Sequence, residues 1–288
     1  MMKVSAFARQ LETYLPGMCC PKCGQPFSLA NAQLRCTSGH CYDLSSKGYV
    51  NLAPGHDQSR EKYDAALFDS RSRIFEGGFY LPLWRAIREC IAQHFPVGDF
   101  SAADIGCGEG WYTRRLTEDF PASRCYGIDL SRDGIQRATR HRAACWLVGD
   151  LKHLPLADHS MDVLLDVLTP ADYASFRRVL KPDGLLLKAI PGNDYLKEIR
   201  GLVKDRLRNQ DYDNARVLEH LSAQGEILQR VTVHETFPLS PAQSADFLRM
   251  TPMTFSLAEG DLSGLALQEI TIHMELLAVR LHEKGDAA

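Results

Sequence analysis

The sequence predicts an α/β fold built on a mostly parallel sheet, preceded by a small metal-binding domain. Three observations carry that expectation. From residue 100 onward, short apolar runs alternate with amphipathic segments, as strands do when connecting helices cover both faces of their sheet. One strand-to-helix junction is rich in glycine, Asp104-Ile105-Gly106-Cys107-Gly108-Glu109-Gly110. Near the N-terminus, Cys20, Cys23, Cys36 and His40 have the spacing of a tetrahedral metal site.

Residues 1–18 read as a short, partly amphipathic lead-in. They hold no continuous apolar core of signal-peptide type, and no stretch of the chain approaches about 18 apolar residues. The expectation is a cytoplasmic protein that does not span a membrane. Nine cysteines in such a chain argue for thiols and metal rather than disulfides. The series C-x2-C-x12-C-x3-H supplies three thiolates and one imidazole, a closed set for a structural Zn2+. A segment of roughly 40 residues with few large apolar side chains buries too little core alone, so metal must stabilise it. Cys19 and Cys41 flank the set and read as bystanders.

Lys47-Gly48-Tyr49-Val50-Asn51-Leu52 is a short extended piece that closes a first domain over 1–52. Residues 53–64 are polar and turn-rich, and with the helix after them form a connection over 53–78 to a second domain, 79–288. Helical periodicity appears at 65–75 and again at 81–95, where Leu83, Ile87 and Ile91 share a face. Gly77-Gly78-Phe79-Tyr80 breaks the two. Seven strands follow at 100–105, 124–129, 144–148, 161–168, 184–190, 226–236 and 267–280. Helices are expected near 110–120, 131–141, 171–180, 193–208, 213–223 and 241–249. Lys181-Pro182-Asp183-Gly184 reads as the turn that starts the fifth of these strands.

The glycine loop has the pattern G-x-G-x-G, not the G-x-G-x-x-G of dinucleotide sites, and Trp111 is too bulky for the third-glycine role. Glycine there allows positive φ angles and a close approach of backbone to a ligand. Asp104 and Glu109 make the loop acidic, which suits a cofactor with an ammonium and a sulfonium better than a pyrophosphate. Asp129 ends the second strand 23 residues after Gly106, near the offset at which an acid meets ribose hydroxyls. Asp150 follows the third strand, where a carboxylate can meet the exocyclic amine of adenine.

A net charge of −3 announces no global attraction to nucleic acid. Between Gly110 and Arg142, however, seven arginines stand against four acids. They read either as a solvated helix face or as a patch facing phosphates.

Asp104, Asp129 and Asp150 at successive strand ends resemble the S-adenosylmethionine site of class I methyltransferases. The zinc set, the run Lys47–Leu52, the glycine loop and Met250-Thr251-Pro252 together resemble the bacterial large-subunit rRNA guanine-N1 methyltransferases, from Cys20 to about residue 280. The resemblance implies a Rossmann-like domain with a seven-stranded, mostly parallel sheet and S-adenosylmethionine as cofactor. It also implies a zinc module that recognises a 23S rRNA hairpin, commonly in a homodimer. Tyr80, Asp104, Gly106, Gly108, Glu109, Gly110, Asp129, Asp150 and Tyr195 are the expected cofactor contacts, with Tyr80 closing over the site. Three positions depart from the family pattern. Phe79 stands where a histidine is common, Tyr195 replaces a cofactor-contacting histidine, and Leu168 replaces an aromatic able to stack on a flipped base. All three bear on the target pocket.

Methyl transfer from a sulfonium is an in-line displacement, so positioning dominates. Guanine N1 carries a proton at neutral pH, and Asp166 at the end of the fourth strand is the candidate proton acceptor or base-orienting group. A capping or hydrogen-bonded structural acid is the other reading of Asp166, and Asp172 reads as the start of the next helix. Arg71, Arg73, Arg114 and Arg115 are candidate phosphate contacts, Arg71 first among them. Methylation of another RNA base or of a small molecule, and a non-catalytic RNA-binding relative, are the competing functions.

Overall fold

The computed structural model describes residues 4–55, 65–204, 214–255, 262 and 264–283. Most of the polar stretch at 53–64 therefore lies outside the described residues, as does the end of the helix expected over 193–208.

The lead-in is ordered. Helix α1 (Val4–Glu12) buries Phe7 and Leu11, and Tyr14 beyond it packs edge-on against Tyr126 with ring centroids 5.2 Å apart. The Tyr126 hydroxyl donates to the Tyr14 carbonyl at 2.9 Å. Next comes a three-stranded antiparallel sheet, β1 (Phe27–Ala30), β2 (Gln33–Cys36) and β3 (Cys41–Asp43). The extended piece gives β4 (Val50–Asn51), which pairs in parallel with a strand of the main sheet.

Helices α2 (Ala65–Glu76) and α3 (Leu81–His94) lead into the alternating region. Its elements run β5 (Ser101–Ile105), α4 (Trp111–Asp119), β6 (Arg124–Asp129), α5 (Arg132–Ala138), β7 (Cys145–Val148), β8 (Met161–Val167), α6 (Tyr173–Val179) and β9 (Leu180–Pro191). Then follow α7 (Lys197–Leu202), α8 (Ala215–Ser222), β10 (Gly225–Pro238), α9 (Pro241–Met250) and β11 (Glu269–Leu281). The main sheet has the order β10-β11-β9-β8-β5-β6-β7-β4. All seven expected strands are there, and β4 adds an eighth from the N-terminal segment. Strands β4 to β9 run parallel, while β11 is antiparallel to both of its neighbours. The expected turn Lys181–Gly184 lies inside β9 as a bulge, because the pairing jumps from Met161↔Leu180 to Val163↔Leu185. Helix α7 starts later than its periodicity suggests, since Leu196 ahead of it takes φ +51°.

Apolar side chains pack on both faces of the sheet. On one, Ala103, Ile105, Ile128 and Leu147 meet Phe7, Leu11, Val50 and Leu52 of the N-terminal segment. On the other, Ala102 and Val163 meet Leu83, Ile87 and Trp111 from the helices. The chain winds from β5 toward β7 and then crosses to β8, so a crevice opens at the carboxyl ends of β5 and β8, where open α/β sheets bind their ligands. Replacing Tyr126 with Phe removes the hydroxyl that holds the lead-in. Urea unfolding should report a loss of about 1 kcal/mol with the sheet intact.

Candidate functional site

The crevice is a cavity of 660 Å³ lined by residues from seven separate stretches of chain, among them Tyr80, Gly106, Gly108, Asp129, Asp150 and Tyr195. Those six expected cofactor contacts are thus brought together. Gly106, Gly108 and Gly110 take φ of +72°, +56° and +78°, a region that glycine alone enters freely. Space is equally restrictive, because a Cβ on Gly110 would sit 2.4 Å from the Trp146 ring. Gly110 thus lies behind the cavity wall and lets α4 begin.

Asp129 ties the loop down. One carboxylate oxygen accepts from the Gly108 amide at 2.7 Å and the other from the Ser131 amide at 2.7 Å. A carboxylate has about four lone-pair sites, so capacity for ribose hydroxyls is left on an edge that lines the cavity. Burial pushes its pKa up, against the amides of Ser131 and Gly108, which lower it. Asp150 accepts from the Lys152 amide at 3.0 Å and stays partly exposed at the cavity rim. Asp104 lies below the lining, where it accepts a 2.6 Å bond from the Thr113 hydroxyl. Burial raises its carboxyl to about 7. Glu109 also sits outside the lining, with Oε1 enclosed and unpartnered, and burial raises it to about 7 while Arg71 opposes. Asp104 thus ties the loop to α4 through Thr113.

Aromatic rings form the opposite wall. The Tyr80 and Tyr195 hydroxyls are 2.7 Å apart, and Tyr80 stacks on Phe75 at 4.6 Å. Phe79 points away from the cavity into Phe237 and Phe247, so the missing histidine is answered by core packing. Leu168 lines the cavity with φ +57°. Thr169, Pro170, Met250, Thr251, Pro252 and Met253 line the same cavity.

The arginines divide. Arg71 lines the cavity, 5.3 Å from the centre of the Phe75 ring. Arg73 is held by both oxygens of Asp246, at 2.8 and 2.6 Å, joining α2 to α9. Arg114 pairs with Glu76, and Arg115 lies 5.0 Å over the Trp111 ring. Asp166, the candidate proton acceptor, is fully enclosed on β8 with Lys188 Nζ at 2.7 Å and does not line the cavity, whereas Asp172 does. Phe68, Phe75, Leu130, Ser131 and Lys152 line the cavity without having been singled out. Ser131 and Lys152 share one signal, each standing two residues past a strand-end acid whose carboxylate accepts its amide.

Cys20, Cys23, Cys36 and His40 converge as their spacing requires. Cys20 Sγ and Cys36 Sγ lie 3.5 and 3.4 Å from His40 Nδ1, and Cys23 Sγ lies 3.6 Å from Cys36 Sγ. Bonds of about 2.3 Å to sulfur and about 2.0 Å to nitrogen give tetrahedral edges of roughly 3.5 Å. The donor set therefore fits zinc, with no position open for chemistry. Asp194, His234 and His273 also converge, but the Asp194 amide already donates to His273 Nδ1 at 3.1 Å, and His234 Nε2 lies 2.9 Å from Asp194 Oδ2.

The comparisons with known proteins agree with this geometry. Residues 18–60 match the family described as "RlmA, N-terminal", and residues 102–184 match "Methyltransferase domain". The chain is 34% identical over 270 residues to a putative 23S rRNA (guanine-N(1)-)-methyltransferase, YxjB, of Bacillus subtilis (strain 168), covering 90% of this chain and 95% of that one. It is 28% identical over 266 residues to the 23S rRNA (guanine(748)-N(1))-methyltransferase of Streptomyces fradiae, covering 90% and 93%. Among solved structures, a chain from the complex of the Haloferax volcanii Trm112 methyltransferase activator and a putative methyltransferase superposes with a TM-score of 0.50, 18% identity, and coverage of 77% and 99%. That last likeness concerns the fold.

Two outcomes are expected. Replacing Cys36 with Ser should abolish stoichiometric zinc, read by elemental analysis, and lower the melting temperature. The raised carboxyls of Asp104 and Glu109 favour the ligand-free fold at low pH, a contribution lost as pH rises through about 7. A cationic cofactor favours their ionised forms, so calorimetric S-adenosylmethionine affinity should rise from roughly pH 5.5 to 8, by at most about tenfold per unit per carboxyl. A flat profile would remove both acids from the site's electrostatics.

Proposed function

Because the chain belongs to the 23S rRNA guanine-N1 methyltransferase family, we propose that it methylates N1 of a guanine in a hairpin of that RNA, in the cytoplasm. The observation that carries this reading is a single cavity lined both by Asp129 and Asp150 and by apolar residues such as Leu168, Pro170, Met250 and Met253. Flat, uncharged aromatic groups favour such walls, and an RNA base reaches them once it is flipped out of its stack.

S-adenosylmethionine, when bound, supplies an electrophilic methyl group on a sulfonium. Asp129 and Asp150 would hold its ribose and adenine, and Gly106 and Gly108 would admit it against the backbone. Arg71, against Gly108 and over Phe75, takes the carboxylate of its amino-acid end; this replaces the reading of Arg71 as a phosphate contact. Tyr80 and Tyr195, hydrogen-bonded to each other on the cavity wall, would help exclude water from the bound donor. The Leu168–Pro170 loop and Met250–Met253, which line the same cavity, would hold the acceptor base for the in-line displacement that methyl transfer requires. Asp172 caps α6 through the Ser175 amide at 2.9 Å and keeps lone pairs for the proton that N1 releases. Lys22 and Arg35, exposed on the zinc module, are placed to meet RNA phosphates.

Labelled methyl transfer to stripped ribosomal RNA, followed by mapping of the modified base, tests the proposal; cofactor binding without any labelled RNA defeats it. Asp129→Ala and Arg71→Ala should each weaken cofactor binding by about tenfold to a hundredfold in Kd, the loss of one or two charge-assisted bonds. Arg71→Ala should leave the salt dependence of RNA binding unchanged, whereas Lys22→Ala should flatten it.

A further inference from the structure

Lys188 on β9 and Asp166 on β8 are register partners beneath the acceptor slot. They are 5% and 0% exposed. Lys188 Nζ donates to Asp166 Oδ2 at 2.7 Å and to the Thr169 carbonyl at 3.3 Å, while Asp166 Oδ1 is enclosed without a partner. A buried ion pair of this kind contributes little net stability, since apolar residues of equal volume often serve as well. Its geometry points to another use.

The loop directly above is held in an uncommon shape. Leu168 takes φ +57°, which side chains other than glycine rarely adopt, and its amide donates to the Ala189 carbonyl at 3.1 Å. The Thr169 side chain fills the space beside Gly106, where an added Cβ would meet Oγ1 at 2.4 Å. The loop is therefore pinned from below by an ammonium and from above by the glycine loop. A Met at 188 could fill the same volume but would leave the Thr169 carbonyl without its donor.

We infer that Lys188 is a positioning residue, which clamps the Thr169 carbonyl and so sets the turn that presents Leu168 to the acceptor base. This rests on the reading of that slot as the base pocket. Lys188→Met alone strands a buried carboxylate and should lower the melting temperature; Asp166→Asn with Lys188→Met removes both charges and should largely restore it. In the double variant, kcat/KM for ribosomal RNA should stay down by about tenfold or more, while S-adenosylmethionine Kd stays within about threefold of wild type. Hydrogen exchange at the Leu168 amide should quicken by about tenfold or more in both variants. A double variant with wild-type kcat/KM and wild-type exchange at Leu168 overturns the inference, leaving the pair a core contact only. If the wild-type protein labels no ribosomal RNA, the substrate reading fails, and exchange at Leu168 alone decides the role of Lys188.

Discussion

The amides of Gly108 and Ser131 converge on one carboxylate, that of Asp129, and the site is arranged around that convergence. It fixes the glycine loop to the tip of β6, and the loop in turn decides where α4 starts and where Thr169 packs. Trp146 fills the space behind, so the loop is held by sterics on one side and by charge-assisted bonds on the other. Enclosing so many carboxyls costs desolvation energy, which a bound cation offsets. Asp104 and Glu109 titrate near neutrality for that reason.

Strand–helix alternation made the seven main strands legible, and the spacing of four ligands made the zinc set legible. Parity decided less well among the acids. Asp129 lies at a strand tip and faces the cavity, but Asp104 precedes the tip of β5 and turns under it to Thr113. Nothing local distinguishes the two. The arginines posed the same difficulty, because Arg73 is neutralised by Asp246, 173 positions away in sequence. Asp166 looked like a catalytic acid because it ends a strand on the ligand side; its partner Lys188 reads as an ordinary charge until the register of β8 and β9 is known. Arg71 lines the cavity beside Phe75, a placement that no local pattern around it signals.

The departures from the family pattern also acquire physical meaning. Phe79 completes an aromatic cluster with Phe237 and Phe247. Tyr195 offers its hydroxyl to Tyr80. Leu168 presents an apolar side chain to the cavity from a turn at φ +57°, at the position where the family pattern has an aromatic.

The pairing of Val50 and Asn51 with β7 has a consequence for the molecule's behaviour in solution. Residues Cys145–Val148 of β7 are all buried, and two residues of the zinc-bearing segment cap the hydrogen-bonding edge that this apolar strand would otherwise present. Unprotected edges of that kind recruit other chains. Shortened proteins lacking the first fifty or so residues would expose that edge and be prone to self-association, whatever their competence toward RNA.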